Sequence, residues 1–356
     1  MPFRERLAAL WDRLRHRWMY RRGDGTAPPA AASGTKGPSL AGLSAALDRP
    51  GMGGILRRTA AALVVFILLY YPIGMIWVHA VDDDPDFVPD AADFVPEGSA
   101  AVAMAAALID REVNRHSWVA NDPFFMPGTL LDNMPNYQQG IMSALARFGF
   151  ELTDQLGRSR GSSEADPDLQ RAAGLLQYPG NVWIWNPTVS LVPRASSESQ
   201  YRDARAHLLG YNNRLARGTA NFDIRSDNLL ATIDRFAADI GSSSAMIDRH
   251  IAENAGGWID TGADDVFYTT KGKLYGYYMI LNALGSDFAP VIKERNLQKP
   301  WDEMIATFRK AALLDPLVIM NGRPDAQFQP NHLATQGFYL LRARTQLREI
   351  SNILLK

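Results

Sequence analysis

The chain has no cysteine. That excludes a disulfide framework, a thiolate metal site and a cysteine nucleophile. An oxidising compartment permits disulfides without demanding them, and a domain of about 260 residues buries enough apolar surface to fold without them. Histidine is sparse and scattered, at His16, His79, His116, His207, His250 and His332. No two stand four apart and no HExxH occurs, so the helix-borne zinc-protease motif is missing. Neither a GxxxxGK nor a GxGxxG loop is present, which sets aside nucleotide binding by those devices. No metal and no cofactor is expected on these grounds.

Net charge is nearly absent too, at −1, but only because two opposite halves cancel. Residues 1–58 hold 11 Arg/Lys against 4 Asp/Glu, a balance of +7, and the remainder holds 26 against 34, a balance of −8. Such asymmetry points to different surroundings for the two parts. The acidic part offers no basic stripe for nucleic acid.

Phe3, Leu7, Leu10, Trp11, Leu14 and Trp18 recur at spacings of three and four, with arginines over much of the other faces. A basic amphipathic helix with tryptophan on its apolar side suits an anionic membrane surface, which makes Trp11 and Trp18 anchor candidates. Gly and Pro supply 12 of the 32 positions in 23–54, the composition of a flexible linker. Residues 59–78, TAAALVVFILLYYPIGMIWV, carry no charge. At 1.5 Å per residue they span about 30 Å, the hydrocarbon thickness of a bilayer. Arg57 and Arg58 stop the run on one side, and Tyr70, Tyr71 and Trp77 lie toward the other, where rings favour the interface. Val78-His79-Ala80 loosely matches a cleavage site, but the charged region ahead of it is far too long for a signal peptide. After Arg58 no Lys or Arg appears until Arg111, so the N-terminus is expected in the cytoplasm and the bulk in the periplasm.

Residues 81–98 are acidic and contain an echo, DFVPD then DFVPE, read as a solvated stalk with two small hydrophobic docking points. From Ser99 the patterning is helical, with segments at 99–118, from Pro135, 164–177, 197–217, 226–253, 274–297, 300–314 and 330–355. Alternating apolar residues at 182–192 and a turn at Lys271-Gly272 within 266–275 allow one or two short hairpins. The fold class expected is mainly α: a single transmembrane helix, then a multi-helix globular domain. The segments expected are an amphipathic helix (1–22), a linker (23–54), an anchor (55–80), an acidic stalk (81–98) and a helical periplasmic domain (99–356).

Asp264-Asp265 could divide acid and base roles, since paired carboxylates shift each other's pKa; adjacent loop Asp residues also serve as caps. Glu198-Ser199 resembles the catalytic Glu-Ser of lytic transglycosylases, but the Gly-rich segment of that family is missing, and Ser196-Ser197 before an acid reads more simply as a helix start. Arg158, Arg160, Ser162 and Ser163 ahead of a helix could hold a phosphate or carboxylate, or simply form a capped interhelix loop. Residues 172–193 are uncharged and include Trp183 and Trp185, an aromatic groove, a bilayer-facing surface or a loop folded over the core.

Tyr71-Pro-Ile-Gly, Asn121-Asp-Pro-Phe-Phe with Pro127-Gly128, Leu131-Asp-Asn-Met-Pro-Asn, Arg160-Gly-Ser-Ser, Asp264-Asp-Val-Phe-Tyr and Pro330-Asn-His-Leu together resemble a bacterial envelope family known as a domain of unknown function, number 2333. The resemblance runs from the apolar segment to the C-terminus and implies a bacterial inner-membrane protein. It carries no activity or catalytic residues across. The function expected is a membrane-anchored periplasmic module that binds an envelope protein or polymer. The alternative is a periplasmic hydrolase or lyase acting on cell-wall glycan through Asp264, Asp265 or Glu198. The missing motifs lean against an enzyme.

Overall fold

The computed structural model describes residues 52–79, 81–91, 93–157, 165–185, 187–254, 260–323 and 326–356. The amphipathic helix expected at 1–22 and most of the linker lie outside the described residues, as do Arg158, Arg160, Ser162 and Ser163. The described residues are helical, without a strand. They fall into two units, divided between residues 64 and 65.

α1 (Met52–Val78) contains the apolar run, with Pro72 inside it. It is long and apolar enough to cross a membrane, and none of that stretch is buried in the protein. The helices that follow are α2 (Ala100–Asp110), α3 (Asn133–Glu151), α4 (Pro167–Leu176), α5 (Ser197–Ala216), α6 (Ser226–Asn254), α7 (Ala263–Asp287), α8 (Ala289–Glu294), α9 (Gln298–Ala312) and α10 (His332–Leu354). Single π-turns extend α2 (Arg111–Arg115) and α3 (Leu152–Leu156). The starts are encoded locally. Ser99 accepts a hydrogen bond from the Val102 N–H, Ser196 from that of Ser199 and Asn331 from that of Ala334, each satisfying a donor the helix leaves unpaired.

α7 is the centre. It packs on α3 most extensively, then on α9, α2 and α10. Phe267, Leu274, Tyr275, Tyr277, Ile280 and Leu284 of α7 are all buried. A Cβ at Gly272 would overlap the Tyr137 carbonyl, and one at Gly140 the Thr269 carbonyl, while Gly276 sits over Ala144. The α3–α7 backbones therefore touch where the glycines cross. This corrects the hairpin expected at 266–275: Lys271-Gly272 is helix interior, and the glycine serves close packing rather than a turn. The described residues of 182–192 form no strand either. They lie in a loop closed by Arg194 N–H to the Ile184 carbonyl (2.9 Å) and Ser197 N–H to the Val182 carbonyl (3.0 Å).

The acidic segment is not the solvated spacer expected from its charge. Tyr137, Tyr275 and Tyr278 donate to the carbonyls of Asp82 (2.7 Å), Asp84 (2.7 Å) and Pro85 (3.0 Å). The fully buried Lys271 pairs with Asp83 at 2.7 Å. Arg111, also buried, lies over the Phe87 ring at 4.9 Å and reaches Asp82 at 3.6 Å. Of the two docking points in the echo, Phe87 packs against the core, whereas Phe94 is exposed. In the second half the buried residue is Asp93, paired with Arg205 at 2.5 Å.

The crossing makes an opposed pair of predictions. Gly→Ala normally stabilises a helix by about 1 kcal/mol. At Gly272 the added methyl meets backbone that cannot yield without parting the helices, so Gly272→Ala should cost at least about 2 kcal/mol net. Gly174, exposed on α4 with nothing near its missing Cβ, should gain roughly 0.5–1 kcal/mol on the same change. Denaturant unfolding of the detergent-solubilised chain measures both; equal effects would remove the close-crossing account.

Candidate functional site

α7 begins beside the N-terminus of α3, and the two helix starts bring Asp132, Asp264 and Asp265 within 4.8 Å of one another. Each carboxylate has local work. Asp132 caps α3 through the Asn133 N–H (2.9 Å), Asp264 accepts from the Asp265 N–H (3.2 Å), and Asp265 accepts from the Asn136 amide (2.6 Å). Acids in a first helical turn are also favoured by the helix dipole, so the cluster has a structural explanation. Burial, and then Asp132, push Asp264 above the usual carboxylate range. The same two causes push Asp265 up, opposed by the Asn136 hydrogen bond.

Asp264 also lines a cleft of about 380 Å³. Its polar wall includes Asp260, Asn133, Tyr268, Asn321 and Gln329, and its apolar wall is the run 317–320. A hydrogen-bond chain fixes this wall. His250 Nε2 lies 2.9 Å from Asp260 Oδ2, Asn321 donates to the same oxygen at 2.8 Å, and Gly262 N–H meets Oδ1 at 3.1 Å. Burial works to raise the Asp260 pKa, but those three donors outweigh it and hold the carboxyl below its ordinary range. Asn331 continues the chain to Asn321 Oδ1 (3.1 Å), and Met320 N–H donates to His332 Nδ1 (2.9 Å). Burial lowers the His332 pKa, which keeps that nitrogen an acceptor.

The other expected residues lie elsewhere. Glu198 accepts from the Asn121 amide at 2.8 Å and does not line the cleft. Beside it, burial and the Glu198 charge raise Asp122 to about 6. Trp183 stacks edge-on against Phe125 at 5.5 Å, and Trp185 is exposed. Tyr70 and Tyr71 donate to the carbonyls of Phe125 (3.1 Å) and Phe124 (2.6 Å), whereas Arg57, Arg58 and Trp77 are exposed on α1. Gly157, Ser159 and Gly161 have the GxSxG spacing of a nucleophile elbow. That elbow needs a strand before it, and Gly157 follows α3 and its π-turn.

Sequence reasoning missed His250, Asp260, Asn321 and the apolar run 317–320. These come from three separate chain segments, and a lone His, Asp or Asn in each gives no spacing signal.

The model of the family described as "Uncharacterized protein conserved in bacteria (DUF2333)" matches residues 52–255 and 248–356. No curated protein and no solved structure matches the chain.

The like-charge cluster has a measurable consequence. Asp132→Asn keeps a capping oxygen but removes a negative charge, so the pKa values of Asp264 and Asp265 should fall toward ordinary. Groups with raised carboxyl pKa values cost stability once pH exceeds their unfolded values. The variant should therefore be more stable than the parent at pH 7, by less than about 1 kcal/mol for such accessible groups, and the gain should vanish at acid pH where all three are protonated. Carboxyl NMR titration and unfolding against pH test this; an unchanged Asp264 titration would contradict it.

Proposed function

The chain belongs to this bacterial DUF2333 family, and from that premise we propose that it is a single-pass inner-membrane protein whose cleft, held in the periplasm, binds an envelope protein or polymer without catalysing a reaction. α1 supplies the span. Arg57 and Arg58 at one end, and the lack of Lys or Arg from 59 to 110, favour a cytoplasmic N-terminus by the positive-inside rule.

The observation that carries the binding reading is the cleft's chemistry. Amide, carboxylate and phenol groups form its floor, while Leu317 is fully exposed and Val318 is 59% exposed at its edge. Convergent polar groups beside accessible apolar side chains are what recognition uses: the polar set fixes orientation and the apolar set supplies affinity. A catalytic pair needs one acid and one free base. Asp260 and Asp264 have opposite pKa shifts in the same cleft, which favours the hydrolase or lyase alternative. Against it, the Asp260 carboxylate is engaged by three donors, and Asp265 and Glu198 each hold an asparagine amide.

Topology is tested by a reporter active only outside the cytoplasm, fused after Lys356. It should be active, and activity from a cytoplasmic reporter alone would reverse the orientation.

Function is tested in intact cells. A photo-crosslinking residue at Met320, in the cleft lining and 38% exposed, should capture the ligand or partner. Leu317→Asp and Val318→Asp should each reduce capture by about tenfold, the effect of losing a modest hot spot, and reduce rescue of a deletion strain. Asp264→Asn, Asp265→Asn and Glu198→Gln should retain rescue. Lost rescue in a stable, normally localised Asp264→Asn protein, with capture unchanged, would replace the binding reading with the enzymatic one.

A further inference from the structure

The loop 123–131 carries no charge and exposes Phe124 (80%) and Leu130 (61%), with Phe125 and Met126 also exposed. Its backbone is tied to α1 through the hydroxyls of Tyr70 and Tyr71. Its Pro127 packs so closely on Gly74 that a Cβ there would lie 2.6 Å from the proline ring. These attachment points fix the loop's level on the helix. Tyr70 lies eight residues before the end of α1 at Val78 and Gly74 four before it, which is about 12 Å and about 6 Å along the axis. In a chain whose α1 spans the bilayer, a loop held there is below the hydrocarbon boundary.

Irregular backbone survives at such depth only when its polar groups are satisfied within the protein. Several of them are satisfied here. The Phe124 and Phe125 carbonyls accept from the two tyrosines. The Pro123, Met126 and Gly128 carbonyls accept from the N–H groups of Met126 (2.8 Å), Thr129 (3.3 Å) and Leu131 (3.0 Å). Pro123 and Pro127 have no N–H to satisfy.

Through the Phe125–Trp183 contact the loop joins a second uncharged one, where Ile184, Trp185, Val189, Leu191 and Val192 are exposed. Between the loop and α1 lies a groove of about 410 Å³ walled by Phe66, Leu69, Ile73, Trp77 and Pro127.

We propose that the loop 123–131 and the exposed residues Ile184, Trp185, Val189, Leu191 and Val192 insert into the leaflet at the C-terminal end of α1, and that lipid acyl chains fill the groove. The proposal rests on α1 being a membrane span, but not on which side the domain faces. Lipid is the occupant because the patch is continuous with the apolar surface of α1 and attached at hydrocarbon depth. A protein partner would need no such level. The insertion fixes the domain's tilt on the membrane, which a single helix alone leaves free.

The lack of native cysteine makes the test direct. The full chain is reconstituted in phosphatidylcholine vesicles with an environment-sensitive fluorophore on a single introduced cysteine: Phe124→Cys, Leu191→Cys, Leu68→Cys on the exposed apolar face of α1, or Lys299→Cys on α9. Labels at 124 and 191 should behave like the one at 68, with blue-shifted emission, quenching by doxyl-labelled lipid and loss of quenching by aqueous iodide. The label at 299 should show the reverse. If the 68 label reports lipid while either loop label matches 299, the insertion is wrong and the span stands. If the 68 label itself is quenched from water, the span and the insertion both fall.

Discussion

The domain depends on how closely α3 and α7 approach. Gly140 and Gly272 each meet a backbone carbonyl of the other helix, and Gly276 lies over Ala144. This approach sets the positions of the residues flanking the crossing. On one side it places Asp132 at the start of α3 beside Asp264 and Asp265 at the start of α7. On the other it places Tyr137 and Tyr275 6.1 Å apart, with their hydroxyls ready for the carbonyls of Asp82 and Asp84. One steric fact, the absence of Cβ atoms, thus sets the cleft's acidic edge and the seat of the acidic segment together.

That seat decides how the domain joins its helix. Burying Lys271 and Arg111 is expensive unless partners are supplied. The partners come from the acidic segment: Asp83 for Lys271, and Asp82 for Arg111 beside its neighbour Glu112. Burial works to discharge Arg111, yet Glu112, the two tyrosines and Asp82 outweigh it and raise its pKa. The acidic run therefore completes the domain's electrostatics. Detaching it would leave Lys271 only Asp315, at 3.6 Å, and Arg111 only Glu112, so these pairs hold the acidic segment to the helical body.

The helices were legible because their signals are local. Stripes at three and four predict every long element but the first half of α7, and Ser99 and Ser196 mark starts that the structure places within a residue. The misreadings share one cause: a residue type with two uses was assigned the commoner one. Gly272 was read as a turn residue because a glycine's second use, close helix contact, depends on what lies opposite. The Asp82–Asp86 run was read as solvated because nothing local announces two buried cations some thirty and two hundred residues away. The cleft was the least legible part. Asp264 was within reach as an acidic pair, but its neighbours His250, Asp260 and Asn321 are gathered only by the tertiary fold.

The loop 123–131 runs directly into Asp132, so the patch that contacts α1 and the acidic edge of the cleft are consecutive in the chain. From Pro127 to Asp132 is five residues, at most about 17 Å even if fully extended, and the 3₁₀ turn at Pro127–Leu130 makes it less. With the loop placed in the leaflet, the cleft's edge cannot stand far above the lipid headgroups. A long flexible stalk would let a binding site search the depth of the compartment; a docked acidic segment, with the loop inserted as proposed, would confine it to the membrane surface. That narrows the class of ligand to one that comes to the bilayer itself, such as the membrane-proximal part of another anchored protein or an envelope polymer where it meets the membrane. For the binding role proposed, the same confinement would raise the local concentration of such a ligand and so lower the intrinsic affinity asked of Leu317, Val318 and a few amides.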